Sequence, residues 1–304
     1  ADKLPLAYAE FGSYSPDGKQ MALTFRSTVF RTWKRYQGGL SADIHIFNPR
    51  HEPGNNSIMA FQLLWYFALM KHPGLVSPTD IERNMQMAMS AKVNSGCISR
   101  QVGAVVADEN NSIVAVGWNE VPEGQTPCNM RSYDGLLGSF SKKDYSEYER
   151  ENDTFRNKAN HNYEIIRSSD IFNPYSLPVP YCFKSIHNAA CGDRNQVHTR
   201  ALHAEENAFL QIVKRGGFPI KGGVLYTTAS PCELCAKKAY QLQIKEIVYI
   251  DPYPGITESH VLSIGVFSPR MTKFKGAVGR AYVNLYSKFY SYKDEIEMFF
   301  MPSS

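Results

Sequence analysis

The chain has no apolar run long enough to cross a bilayer. The longest stretch, Ile58 to Met70, is interrupted by Gln62, so it excludes a membrane span and reads as a buried helix. Cysteine is scarce, six in 304 residues at irregular spacings, which excludes a disulfide scaffold and favours a reducing, cytoplasmic setting. Charge of one sign is scarce too. Lys and Arg number 33 against 29 Asp and Glu, a net +4, well short of the basic footprint of a nucleic-acid binder. There is no Gly-rich phosphate loop of the Walker type, and the polar start, with Asp2 and Glu10, does not read as a secretory leader. What is present is an ordinary 43% hydrophobic fraction, enough to build a full core in one large domain or two smaller ones.

Turn signals at Ser15-Pro16-Asp17-Gly18 and Gln37-Gly38-Gly39, and a short alternating run from Asp43 to Phe47, set residues 1–76 apart as an extension with no catalytic pattern. Ser77 as N-cap and Pro78 at the first helical position predict a helix to about Val93. Val102 to Ala107 and Ile113 to Val116 predict two strands joined by a turn at Asp108 to Asn111. Residues of about 125–198 are polar and aromatic and read as an insertion, with helix near Tyr145 to Ile166. Helix from His203 to Lys214, strand from Val224 to Thr228, helix from Cys232 to Gln241 and strand from Ile247 to Ile250 follow, with an amphipathic segment from Ala281 to Tyr290. Alternation of this kind predicts an α/β fold, a three-layer α/β/α sandwich with a mixed sheet, over 77–304.

Within that pattern stand His203-Ala204-Glu205 and Pro231-Cys232-Glu233-Leu234-Cys235. Both halves fall where helices are expected to begin, and there partial positive charge favours thiolates. Cysteines three residues apart share one helix face. His203, Cys232 and Cys235 are therefore candidate ligands of one Zn2+, and three protein ligands leave a fourth position open, as in catalytic sites. Glu205 is the candidate proton shuttle between water and the ring nitrogen of a base. The arrangement matches the H-x-E … P-C-x-x-C signature of zinc deaminases acting on nucleobases. The alternative is a structural zinc with one ligand unrecognised.

Four blocks carry a closer likeness: Ser99 to Val106, Gly117-Trp118-Asn119-Glu120-Val121-Pro122-Glu123-Gly124, His203 to Ala208, and Ser230 to Cys235. On these the chain resembles the deoxycytidylate deaminases of the cytidine deaminase superfamily. The resemblance implies a cytidine-deaminase-like fold and hydrolysis of a deoxycytidine mono- or triphosphate to the deoxyuridine nucleotide and ammonia. It also implies a homo-oligomer, and it leaves room for a nucleotide effector. Asn119 would contact the nucleoside. Arg100 and Arg131, which flank the first two blocks, are candidates for the phosphate, with Arg194 and Arg200 weaker ones. Some family members hold a second, structural zinc; here Cys97, Cys128, Cys191 and His198 would be its ligands. The extension, the insertion and the tail depart from the compact enzyme. In overall layout the chain is similar to larger deaminases linked to antiviral nucleotide depletion.

Two other classes compete. A polynucleotide deaminase acting on tRNA or single-stranded DNA shares the zinc motif, but it should show a basic track with aromatics. The insertion instead mixes charges, as in Glu147-Tyr148-Glu149-Arg150-Glu151. A nucleotide-sensing regulator would have no use for Glu205. A riboflavin-pathway deaminase would carry a longer spacing between its cysteines.

Overall fold

A computed structural model describes residues 13–14, 21–24, 44–47, 63–138, 143–169, 178–193, 196–288, 290–298 and 300. Two compact units are present. One comprises 1–86, 250–255 and 273–304, the other 87–249 and 256–272. The division thus differs from the expected boundary at 76/77, because the tail belongs with the N-terminal part.

In the first unit, β1 (Ser13–Tyr14), β2 (Met21–Thr24) and β3 (Ile44–Phe47) form an antiparallel sheet, with Met21 opposite Phe47. The turn signals expected around this sheet lie outside the described residues, as do residues 58–62 of the apolar helix. The rest of that helix, α1 over 63–71, is not buried as expected. Leu69 is shielded, but Leu64, Trp65, Phe67 and Met70 are exposed. Helix α2 (Asp80–Lys92) starts later than Ser77 and Pro78 suggest. Thr79 caps it: its Oγ1 accepts from the Glu82 backbone N–H at 3.2 Å, and the Glu82 carboxylate accepts from the Thr79 backbone N–H at 3.2 Å. This reciprocal capping box satisfies two donors and sets the start of the helix.

The Glu82 carboxylate does more than cap. Buried, it also accepts from the hydroxyls of Thr79, Tyr66 and Tyr286 and from the Ala277 backbone N–H, at 2.9–3.0 Å. Tyr286 ends helix α9 (Arg280–Tyr286), which has no fully buried residue. The tail is held by polar bonds rather than by the apolar face expected of it. Helix α10 (Tyr292–Met298) follows.

The second unit is built on a five-stranded mixed sheet of order β5-β4-β6-β7-β8, with β4 (Gly103–Ala107), β5 (Ile113–Trp118), β6 (Val224–Ala229), β7 (Glu246–Asp251) and β8 (Arg270–Lys273). Strand β4 is antiparallel to both neighbours. Every residue of β4 and β6 is buried, as strands covered on both faces must be. Pairing shows what covers them. Gly103 lies opposite Trp118 and Gly117 opposite Ala104, so the two glycines point to opposite faces. A Cβ on Gly103 would meet Ala88 and Lys92 of α2, while one on Gly117 would meet Ala204 and Ala208 of α7 (Ala204–Lys214). Helices therefore lie on both faces, the expected α/β/α sandwich. The hairpin turn is fixed by Asp108, whose Oδ1 accepts from Asn110 and Ser112, with Asn111 at φ 63. Helix α8 (Glu233–Gln241) connects β6 to β7.

The insertion builds its own core from Tyr133, Leu136, Tyr145, Phe155, Ala159, Tyr163, Tyr181 and Ile186. These residues sit on or beside α3 (Tyr133–Leu137), α4 (Glu147–Glu151), α5 (Asp153–Arg167) and α6 (Phe183–Cys191). The helix expected near 145–166 is present as two, α4 and α5. Ser146 caps α4 with a capping box, and Asn152 ends α4 and caps α5 by accepting from Phe155.

Candidate active site

His203 and Cys232 occupy the N-cap positions of α7 and α8, and Cys235 lies in the first turn of α8. The three donors therefore meet where two helices offer unpaired backbone N–H groups and positive dipole ends. His203 Nδ1 is 3.3 Å from Cys232 Sγ and 3.4 Å from Cys235 Sγ. Tetrahedral zinc bonded to nitrogen and sulfur would set these separations at about 3.6 Å, so the residues fit the ion. The hydrogen bond from Cys235, then that from His203, holds Cys232 down to about 3 despite burial, while donating that bond and burial both push Cys235 up. The His203 imidazole is raised chiefly by its bond to Cys232.

Glu205, in the first turn of α7, is only 4% exposed. Burial pushes its carboxyl above the usual range, against the pull of its own backbone N–H and of His203. Thr227 on β6, fully buried, lies with its hydroxyl 2.8 Å from the Ala229 carbonyl and 3.3 Å from Glu205 Oε1. Asn207 ties the same helix to the end of β5 by donating to the Trp118 carbonyl at 2.9 Å. Glu206 and Lys238 form an ion pair between α7 and α8.

Asn119 is 8% exposed and already engaged. Its Oδ1 accepts from the Val102 N–H at 2.6 Å and its Nδ2 donates to the Arg100 carbonyl at 2.8 Å. It fixes the Arg100 loop as much as it could face a nucleoside. Glu120 braces the neighbouring turn, accepting from the Gly96 N–H at 2.7 Å, and pairs through its backbone with Leu202, next to His203.

Arg131 is not placed to read a phosphate. It is completely buried in an ion pair with Glu149, donates to the Tyr181 hydroxyl at 2.7 Å and lies against the rings of Tyr145 and Tyr181. Sequence gave no warning, since its partners lie 18 and 50 residues away. Arg194 lies outside the described residues. Nor do Cys97, Cys128, Cys191 and His198 gather into one ligand set. Among the described residues, the groups whose donor atoms lie within 4.8 Å of one another are His203-Cys232-Cys235 and His187-Asp193-His198. Cys128 has Cys97 as an electrostatic neighbour and is pushed up to about 11, mainly by burial. Cys191 instead lies 4.0 Å from His187 Nε2, on the far turn of α6. Arg200 donates to Glu149 Oε2 at 3.1 Å and to Gln125 Oε1 at 3.3 Å, partners 51 and 75 residues away that no sequence window joins.

An α/β/α sandwich presenting a His-Cys-Cys cluster and a buried carboxyl at two helix N-termini defines a nucleobase-deaminase class of protein. The chain belongs to the family described as the cytidine and deoxycytidylate deaminase zinc-binding region, whose model matches residues 78–251. It is 30% identical over 170 residues to the deoxycytidylate deaminase of Enterobacteria phage T2, covering 56% of this chain and 78% of that protein. It is 28% identical over 194 residues to the deoxycytidylate deaminase of Schizosaccharomyces pombe, covering 64% of this chain and 43% of that one. Among solved structures, the dCMP deaminase of cyanophage S-TIM5 in complex with dCMP and dUMP is similar, at 23% identity, 66% and 99% coverage and a TM-score of 0.38. No helix among the described residues is long and apolar enough to cross a membrane.

Proposed function

We propose that the chain is a zinc-dependent hydrolase that deaminates a deoxycytidine nucleotide to the deoxyuridine nucleotide and ammonia. The observation that carries the reading is the buried Glu205 carboxyl two residues after His203, beside the His203-Cys232-Cys235 cluster. Zinc held by those three residues supplies an activated water at neutral pH. Glu205, raised by burial, is suited to accept one proton from water and pass it to ring N3, and then to carry the remaining hydroxyl proton to the departing amine. Burial excludes bulk water from that transfer. Both related deoxycytidylate deaminases support a nucleotide rather than a free base as substrate.

The test is ammonia release against deoxycytidine, dCMP, dCTP, CMP and cytosine in single-stranded DNA. Turnover of a free deoxynucleotide is the expected result. Glu205→Gln should keep its zinc and lose at least about 10²- to 10⁴-fold in kcat, the usual worth of a positioned acid–base group. Activity on the polymer alone would move the protein to the editing class. Normal turnover by Glu205→Gln would refute the role given to that residue.

A further inference from the structure

We propose that Thr257 is a positioning residue for Cys232, acting with Glu233 to hold the turn Pro231-Cys232-Glu233 in its metal-binding shape; the proposal rests on the reading above, in which Cys232 binds zinc. Two tethers flank the thiol. On one side the Thr257 hydroxyl donates to the Pro231 carbonyl at 3.2 Å, a buried bond. On the other the Glu233 carboxylate accepts from the Ile256 backbone N–H at 3.1 Å. Consecutive residues, Ile256 and Thr257, thus hold the residues immediately before and after Cys232. The cysteine itself takes no part in either bond. As N-cap of α8 it has extended backbone, and its side chain accepts from no helix N–H. Its sulfur is left to face His203 and Cys235.

The segment that supplies both donors is itself anchored. Ile256 leads into a π-helical turn, Thr257–Leu262, where the Ser263 N–H reaches back five residues to the Glu258 carbonyl at 2.9 Å. Wide turns of this kind are rare and recur at functional sites. Val261 and Leu262 are buried in the same core as Ala236 and Ala239 of α8, so the turn cannot shift against the helix that carries Cys232 and Cys235. Thr257, 7% exposed, is thereby pressed against the cysteine turn. The chemistry of the ligand makes this matter. A metal-bound histidine is oriented through its second ring nitrogen, but a thiolate has no second donor. Its direction is set by the backbone on either side of it, and here that backbone is fixed by Thr257 and Glu233. Loss of the Thr257 hydroxyl would leave the buried Pro231 carbonyl unsatisfied and favour a rearranged turn.

The experiment measures Zn2+ affinity by competition with a chromophoric chelator, without nucleotide, in the wild type, Thr257→Val and Thr257→Ser. Thr257→Val keeps the side-chain shape and removes the donor. Its affinity should fall by about tenfold to a hundredfold, the usual effect of removing a group that orients a metal ligand. Thr257→Ser restores the hydroxyl and should recover most of that loss. On zinc-saturated protein, Thr257→Val should lower kcat and leave KM for dCMP unchanged, as for a group that acts on the reacting centre rather than on substrate binding. A zinc affinity within about twofold of wild type, beside a lowered melting temperature, would make Thr257 a packing residue only and overturn the proposal. Equal weakening in Thr257→Ser would overturn it too. If Thr257→Val does not fold, the half-buried Glu233 decides. Glu233→Ala should weaken zinc by about twofold to tenfold relative to Glu233→Gln, the worth of one hydrogen bond, and equal affinities in the two would overturn the paired tether. If the wild type binds zinc and turns over none of the substrates, the deaminase reading fails, and the zinc measurement still decides the role of Thr257.

Discussion

Arg131 and Glu149 are both sealed from water, and each is tolerable there only because of the other. Burial opposes the charge on Glu149, but Arg131, Tyr181 and Ser146 outweigh it and hold its carboxyl below the usual range. Removing one member of a buried pair leaves the other uncompensated, at a cost of about 3–5 kcal/mol. Glu149→Gln should lose about that much in urea unfolding, because it strands the charges of Arg131 and Arg200, although the glutamine amide oxygen can still accept from Ser146. A loss under about 1 kcal/mol, the range of exposed pairs, would show that water reaches the site. At this scale the sequence was legible only where chemistry is local. His203, Glu205, Cys232 and Cys235 declare themselves by spacing. Arg131 does not, because nothing next to it distinguishes an arginine that will be buried from one that will face a phosphate.

The elements that carry the zinc motif were readable almost residue by residue, because apolar periodicity and caps both lie within a few positions. Ser77-Pro78 does not set the start of α2, because the capping box of Thr79-x-x-Glu82 satisfies two donors and prevails. Helices α3 and α6 escaped notice because their apolar residues face a core assembled from the whole insertion rather than a regular stripe. Close packing, too, is invisible until the faces are known. A Cβ on Gly117 would stand 2.4 Å from both the Ala204 carbonyl oxygen and the Ala208 nitrogen, backbone atoms that cannot rotate away. Gly117→Ala should therefore push α7 off the sheet, costing about 1–3 kcal/mol or more by overpacking. Since α7 begins with His203 and Glu205, activity should drop further than stability, by about 10²-fold for a displacement near 1 Å. Melting and kcat measured on one preparation would check this. Unchanged kcat would mean that the helix slides without moving its first turn.

Over the whole chain, division into units follows bonds that no sequence window spans. Tyr66, Thr79, Glu82, Ala277 and Tyr286 converge on one carboxylate, and the division falls inside α2, between Gln86 and Met87. Each unit therefore keeps a buried carboxylate as a fastening, Glu82 in the first and Glu149 in the second. Burial works against the charge on Glu82 as it does for Glu149. The Ala277 N–H, the Tyr286 hydroxyl and Thr79 prevail, and its carboxyl is held below its ordinary 4.5. A carboxyl depressed by folding stabilises the native state fully above its unfolded value, and that contribution disappears as pH falls through the folded value. Stability should thus be level from neutral pH down to about 5 and decline below about 4.5, by up to about 1.4 kcal/mol per pH unit for each such group. In Glu82→Gln the plateau should be lower and the acid decline shallower, since one proton-linked fastening is gone. Urea unfolding from pH 7 to pH 3 tests both, and an acid slope identical to wild type would show that Glu82 is as easily protonated folded as unfolded.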